Sequence, residues 1–436
     1  MIRHKEIQDK LLHLVGWKPG PSLLGVTICE TLTESRSGLY FQQAHPLITL
    51  DNLMSIAPDF SKLETSGVYP EYNAVARTQS YKKGAVVSYA GRLYKAKQDT
   101  VPGVPDQMPE YWAETSLFSE WLEAKTKDSI SKAINRFWSE KVSERTAKAL
   151  CESKVLFDGT GRLTDTVPNR SNIAGFEIIP IRSKGVTLKI NKIGLQFTKP
   201  GEYVLYLMHS SKPSPIQVVT LTKRTAGFEW FTMQDMFLPY ESMDIEVGGS
   251  WYLCYKQSEL PEGSEAIRKD RDWSKGPCRS CSRNEFIAWQ AWSKYLEVHP
   301  FTTKESEGAL ELWDIENNNY DYSSNFGLNL DVSVYCDITD TIISNDVLFQ
   351  DVIQLQFAAD VLREFAFNPS VRTNRHSINA SKHDILYELE GSSSSFEKSG
   401  LNYQLDLGYK AIKLNMSGLD RVCLFCKNNG VKYRTV

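Results

Sequence analysis

Apolar residues recur at helical spacing in four stretches of the chain. In residues 2–15, Ile7, Leu11, Leu14 and Val15 share one stripe, and Lys18-Pro19-Gly20-Pro21 closes it. Residues 117–152 read as one long connector helix, with Phe118, Trp121 and Leu122, then Ile130, Ile134 and Phe137, among lysines and glutamates. Residues 284–297 form a tryptophan-rich helix carrying Ile287, Trp289, Trp292 and Leu296. The clearest periodicity is Leu348, Val352, Leu355, Ala359, Leu362 and Ala366, which Asn368-Pro369 stops.

Elsewhere the period shortens to two. Across residues 160–260, Val186, Leu188 and Ile190 precede Ile193, Leu195 and Phe197; Val204, Tyr206 and Met208 follow, then Met243, Ile245 and Val247. Turn residues separate these runs, at Lys199-Pro200-Gly201, Pro213-Ser214-Pro215 and Gly248-Gly249. Short alternating strands at this spacing predict a β-sandwich, jelly-roll-like in layout. Residues 67–115 predict a compact module of short strands turning at Gly84, Gly91 and Gly103. Leu328–Tyr335 reads as a strand, and residues 401–436 as further short strands.

The expectation is a multidomain α+β protein. A helix and extended arm occupy 1–66, the small β-module 67–115, and the connector helix 116–155. The sandwich spans 156–275, and an α+β region carrying the cysteine pairs spans 276–436.

Composition narrows the class. With 41% hydrophobic and 24% charged residues, the 436-residue chain reads as an ordinary soluble globular protein. A net charge of -3 without a long basic run argues against sequence-specific nucleic-acid binding and against attraction to anionic membranes. No apolar run approaches the roughly 18 residues of a membrane span, and residues 1–25 lack a secretory h-region. The protein is expected to be made in a cytosol, its eight cysteines mostly thiols or metal ligands rather than disulfides.

Those cysteines include two pairs, Cys278-Arg-Ser-Cys281 and Cys423-Leu-Phe-Cys426. Two-residue spacing places both sulfurs of a pair on one metal ion, and four thiolates close a tetrahedral structural zinc site. Such a site ties the end of the chain to its middle. Compact zinc modules keep their pairs within about 15–20 residues, so this one would be assembled by the tertiary fold. Two other readings stay open: reduced thiols in unrelated turns, and a redox dithiol, which lacks a leading βαβ pattern.

Catalytic patterns are absent from the chain. Gly20–Gly25 has phosphate-loop glycine spacing, but Val26-Thr27 follows, and Gly159-Thr160-Gly161 lacks a third glycine. No G-x-S-x-G elbow or H-E-x-x-H occurs, and the seven histidines are scattered. The expectation is that the chain is not an enzyme.

Two resemblances add to this reading. Tyr81, Gly84, Val87, Tyr89, Gly91, Tyr94, Ala96, Thr100, Gly103, Pro105 and Trp112 are spaced as in the chitin-binding-like modules of carbohydrate-binding families 5 and 12. That family stacks sugars on two adjacent tryptophans before the threonine, where Gln98 and Asp99 stand here. The resemblance implies a scaffold put to structural use, with Tyr94 and Trp112 as the remaining candidates for a glycan.

Three further segments resemble virion structural proteins of tailed bacteriophages of Bacteroidota, the crAss-like group in particular. They are Ser35–Phe41 running to His45–Leu50, Phe367-Asn368-Pro369 with Thr373-Asn374-Arg375, and Gly418–Arg421 with Tyr433-Arg434-Thr435. This resemblance implies a homo-oligomeric ring in the tail or neck, below the portal. It also implies contacts with portal, tail or fibre subunits, and residence in the virion after synthesis in the bacterial host cytoplasm. The alternative it leaves is a host-glycan-binding tail or adaptor protein.

Overall fold

The computed structural model describes residues 2–19, 23–60, 68–72, 81–100, 103–142, 149–158, 163–181, 185–212, 214–240, 249–269, 271–280, 283–303, 317–367, 382–391, 399–416, 419 and 423. Met243, Ile245, Val247, Cys281 and Cys426 lie outside them. The helices among the described residues are α1 (His4–Leu11), α2 (Leu50–Ile56), α3 (Leu117–Phe137), α4 (Arg283–Trp292), α5 (Thr339–Ser344), α6 (Gln350–Phe367), α7 (Lys382–Glu390) and α8 (Leu401–Ala411). The chain divides into two compact units. One holds residues 2–143 and 339–415, the other 144–338 and 416–436.

The first unit is mainly helical. Its central helix, α6, buries Val352, Ile353, Phe357, Ala359, Leu362 and Phe365 and packs against α2, α3, α7 and α8. An apolar surface that wide leaves few exposed positions, Asp351, Arg363 and Phe367 among them, as expected of a helix largely surrounded by partners. Trp17, Phe41 and Phe357 form a ring cluster with centroids 4.7–5.1 Å apart. Ser116 caps α3 by accepting from the Ser119 amide, and Phe118, Leu122, Ile130, Ile134 and Phe137 are buried along one side.

Within the 22–66 segment, residues 23–60 are packed for much of their length, with Leu32, Phe41, Ile48, Leu53 and Ile56 all buried. Gly16 makes this possible, because a Cβ there would sit 2.6 Å from the Glu34 carbonyl oxygen. Leu23 and Leu24 stand out from the segment, 98% and 66% exposed.

The small module belongs to this unit. Its strands β1 (Val86–Tyr89), β2 (Arg92–Ala96) and β3 (Trp112–Thr115) form one antiparallel sheet in that order. Ala90 and Gly91, both at positive φ, make the β1–β2 turn.

The second unit is a β-sandwich. Its strands are β4 (Ala149–Val155), β5 (Leu163–Val167), β6 (Ile173–Pro180), β7 (Val186–Phe197), β8 (Gly201–His209), β9 (Gln217–Lys223), β10 (Gly227–Thr232), β11 (Phe237–Pro239), β12 (Trp251–Lys256), β13 (Ala266–Lys269), β14 (Leu296–Thr303), β15 (Asn318–Tyr320) and β16 (Leu328–Cys336). One sheet runs β4–β16–β7–β13–β5, with β10 and β11 also pairing β7; the other runs β15–β14–β6–β12–β8–β9. From β6 onward the path crosses between the sheets at most connections, a jelly-roll-like habit. Both sheets feed one core, in which Phe197 of β7 meets Tyr255 of β12 and Tyr203 of β8. Lys269 of β13 binds Glu285 and so clamps α4 to the sandwich.

Several elements depart from the sequence reading. The connector helix ends at Phe137 in a π turn, and 149–155 is strand β4 instead of helix. Pairing with β16 decides this, overriding the helical propensity of the lysine- and glutamate-rich stretch. Residues 401–411 are helix α8 rather than strand, because Leu401, Leu405 and Tyr409 fall four apart and are buried together. Strand β8 forms where Val204, Tyr206 and Met208 alternate, but Tyr203, Leu205 and Leu207 are the residues that enter the sandwich core, while Tyr206 and Met208 join a separate cluster. The sandwich, however, also takes β14 and β16 from beyond residue 275.

Candidate functional site

The small module makes contact with its own unit through charge. Strand alternation turns Lys95 of β2 away from the module's aromatic core and toward α3. There its ammonium lies 2.8 Å from Glu120 and 2.6 Å from Glu123, all three side chains being at most 12% exposed. Glu123 also holds Lys127 at 3.2 Å, and Lys127 reaches Asp9 of α1 at 2.9 Å. Thr115 donates to Glu120 at 2.7 Å. Spacing of three and four residues puts Glu120, Glu123 and Lys127 on one face of α3. Burial alone would depress the Lys95 pKa, but the two carboxylates outweigh it, and the net shift is upward. Lys127 moves the same way for the same reason. Ammonium groups held charged in this manner do not act as amine nucleophiles or bases.

This clamp floors a cleft of about 590 Å3 lined by α1, the 30–34 turn, the module and α3. Lys97 pairs with Glu30 at its rim. His13 stands in the wall, its Nδ1 buried without a hydrogen bond and 3.8 Å from Glu34. Burial lowers the His13 pKa; Glu34 pulls upward, Lys83 downward and Glu123 upward, and burial prevails. The cleft carries both signs of charge, cross-linked by ion pairs. Its chemistry is that of a seam between elements.

The two aromatic candidates lie in the module's interior. Trp112 is 3% exposed and Tyr94 7%. Tyr72 and Tyr81 pack on Trp112 with centroids at 6.2 and 5.5 Å, and Tyr94 packs on Tyr89 at 6.4 Å. Thr100 explains its place in the motif, since its hydroxyl accepts from the Tyr81 amide and its amide donates to the Tyr81 carbonyl. The exposed positions beside it are polar. Gln98 donates to the Glu110 carbonyl, while Asp99 accepts from the Lys83 amide and the Lys82 ammonium, both at 2.9 Å. Gln98 and Asp99 thus pin a turn where the sugar-binding families display rings.

The cysteines are arranged differently from the expected four-thiolate set. Cys423 is joined in a disulfide to Cys336 on β16, buried in the sandwich core. A sulfur in a disulfide is not a thiolate, so Cys423 offers no metal ligand in this state. Cys278 is exposed, while Cys281 and Cys426 lie outside the described residues. Among the described residues no group of three or more His, Cys, Asp or Glu could hold a metal ion. The disulfide itself is a correction to the expected thiol state, and it ties the end of the chain to its middle through Cys336.

Sequence reasoning missed the Lys95–Glu120–Glu123 clamp, although the charges on one face of α3 signalled it. No helix of the described residues is long and apolar enough to cross a membrane. No known protein family, curated protein or solved structure matches the chain.

Proposed function

We propose that the chain is a non-enzymatic structural subunit of a bacteriophage virion, a tail or neck ring component that assembles with copies of itself. The observation that carries this reading is the burial of Trp112 and Tyr94, with Gln98 and Asp99 on the outside. A scaffold of sugar-binding type is used here for packing, clamped to α3 by Lys95. Leu23 and Leu24 add a second support. Two adjacent, exposed leucines on a turn whose amides Asp51 holds suit insertion into a neighbouring copy better than permanent contact with water. In a closed ring such a contact is heterologous, one face of a subunit meeting a different face of the next. The Cys336–Cys423 bond fits a particle that leaves the reducing cytosol, where disulfides do not persist. The resemblance in residues 35–50 supplies the virion context, with portal, tail or fibre subunits as further partners.

The test is the mass of the purified protein in solution and its dependence on Leu23→Asp with Leu24→Asp. A ring-sized oligomer that falls to monomer in the variant, with the fold retained, supports the reading. A wild-type protein that stays monomeric at high concentration and is missing from particles contradicts it.

A further inference from the structure

The C-terminal segment is fastened to the sandwich at one corner, where β7 begins and β16 ends. Val186 there pairs in register with Cys336. Gly185, at a φ of 90°, accepts a hydrogen bond from the Asp337 amide at 2.8 Å. A positive φ favours glycine, and here the missing side chain is used as well. A Cβ at residue 185 would stand 2.5 Å from Cδ2 of Leu419. Leu419 fills that notch and is 6% exposed. Further along, Cys423 lies with its Sγ 3.4 Å from the Gly185 carbonyl oxygen and is bonded to Cys336. Cys423 is 2% exposed and Cys336 0%.

Between these cysteines the chain makes an excursion. It leaves the sandwich unit after Ile338, gives α5, α6, α7 and α8 to the helical unit, and returns at Met416. The disulfide joins the departing strand to the returning segment. Cys29, Cys151 and Cys254 are buried too and remain thiols, so burial alone does not produce such a bond. A docking element that brings two sulfurs together is also needed.

We propose that Cys336 and Cys423 form a redox latch, set by the docking of Leu419 and shielded by it afterwards. Docking in the Gly185 notch brings the two thiols together. Closure then passes two electrons and two protons from them to a disulfide oxidant, such as glutathione disulfide, which leaves as two glutathione thiols. Opening needs a thiolate to reach one of the two sulfurs, and burial keeps it out. Reduction therefore waits for the segment to lift from the notch, and its rate follows the lifted fraction. Under reducing conditions an unset latch stays open, and Leu419 docks reversibly. Once set, the latch outlasts a return to those conditions. This device goes beyond the subunit reading and does not depend on it.

The oxidised full chain is incubated with reduced glutathione and quenched with N-ethylmaleimide. Non-reducing digestion and mass spectrometry then follow the peptide pair linked through Cys336 and Cys423. Leu419→Ala is expected to lose the bond about tenfold faster than wild type, or more, because the lost apolar contact raises the lifted fraction. Leu419→Met keeps the apolar bulk and is expected to stay close to wild type. The urea-unfolded chain is expected to be reduced fastest of all, and circular dichroism of each variant verifies the fold. Equal rates in wild type and Leu419→Ala overturn the proposal. So does reduction of the folded wild type as fast as the unfolded chain, or absence of the linked pair after treatment with glutathione disulfide.

Discussion

Lys95 and Glu123 meet at 2.6 Å across the junction of β2 and α3, each side chain only 9% exposed. A buried ion pair loses most when one partner is removed, because the other charge stays buried and uncompensated. Lys95→Ala is therefore expected to destabilise the protein by about 3–5 kcal/mol. Adding Glu120→Gln and Glu123→Gln is expected to recover a large part of that loss. Urea denaturation of the single and triple variants measures both. A single variant of near wild-type stability would show the pair to be solvated.

The same junction sets the response to pH. Burial holds His13 below its ordinary pKa of 6.5, so the folded unit favours the neutral ring. The unfolded chain then binds the proton more readily. This contribution to stability is present above pH 6.5 and is lost as pH falls below it. His4 is lowered by burial too and acts with the same sign. Lys95 has the opposite sign. Its raised pKa gives stability present below its ordinary 10.5 and lost as pH rises through the folded value. Denaturation midpoints across pH should fall at both ends, and His13→Phe should shrink the acid limb alone.

The disulfide closes a long loop, with 87 residues of sequence separation. Chain-entropy arguments give such a cross-link up to about 4–5 kcal/mol. Cys423→Ser is expected to lower stability and expose the C-terminal segment to proteolysis. Thiol titration of the unfolded, unreduced protein should count at least two fewer thiols than after reduction. A full count before reduction, with zinc released on unfolding, would instead favour the four-thiolate site.

Trp112 closes the core of the small module. Trp112→Ala is expected to cost about 3–5 kcal/mol and to unfold the module before the rest of its unit. Hydrogen exchange of residues 81–115 checks this. Fast exchange there, with α6 still protected, is the expected pattern. A folded module that has lost only an affinity for glycans would restore the lectin-like reading.

Periodicity made some elements legible. Helix α6 was plain because Val352, Leu355, Ala359, Leu362 and Ala366 step around one cylinder. Strand β7 was plain because its apolar residues alternate. Helix α8 was hidden by the shortness of its Leu401, Leu405, Tyr409 stripe, and β4 by a composition that favours helix. The motif residues Tyr94 and Trp112 could be picked out, but not which way they face, since packing of Tyr72 and Tyr81 decides that. Cys336 could not be matched to Cys423 by spacing, because a disulfide partner is chosen by the tertiary fold.

Imaging of phage particles at subunit resolution tests the central claim most directly. The account predicts density for this chain in a closed ring in the tail or neck, in a fixed copy number, with residues 23–24 seated on an adjacent copy. Particles lacking the chain, or containing it only as scattered single copies, would contradict it.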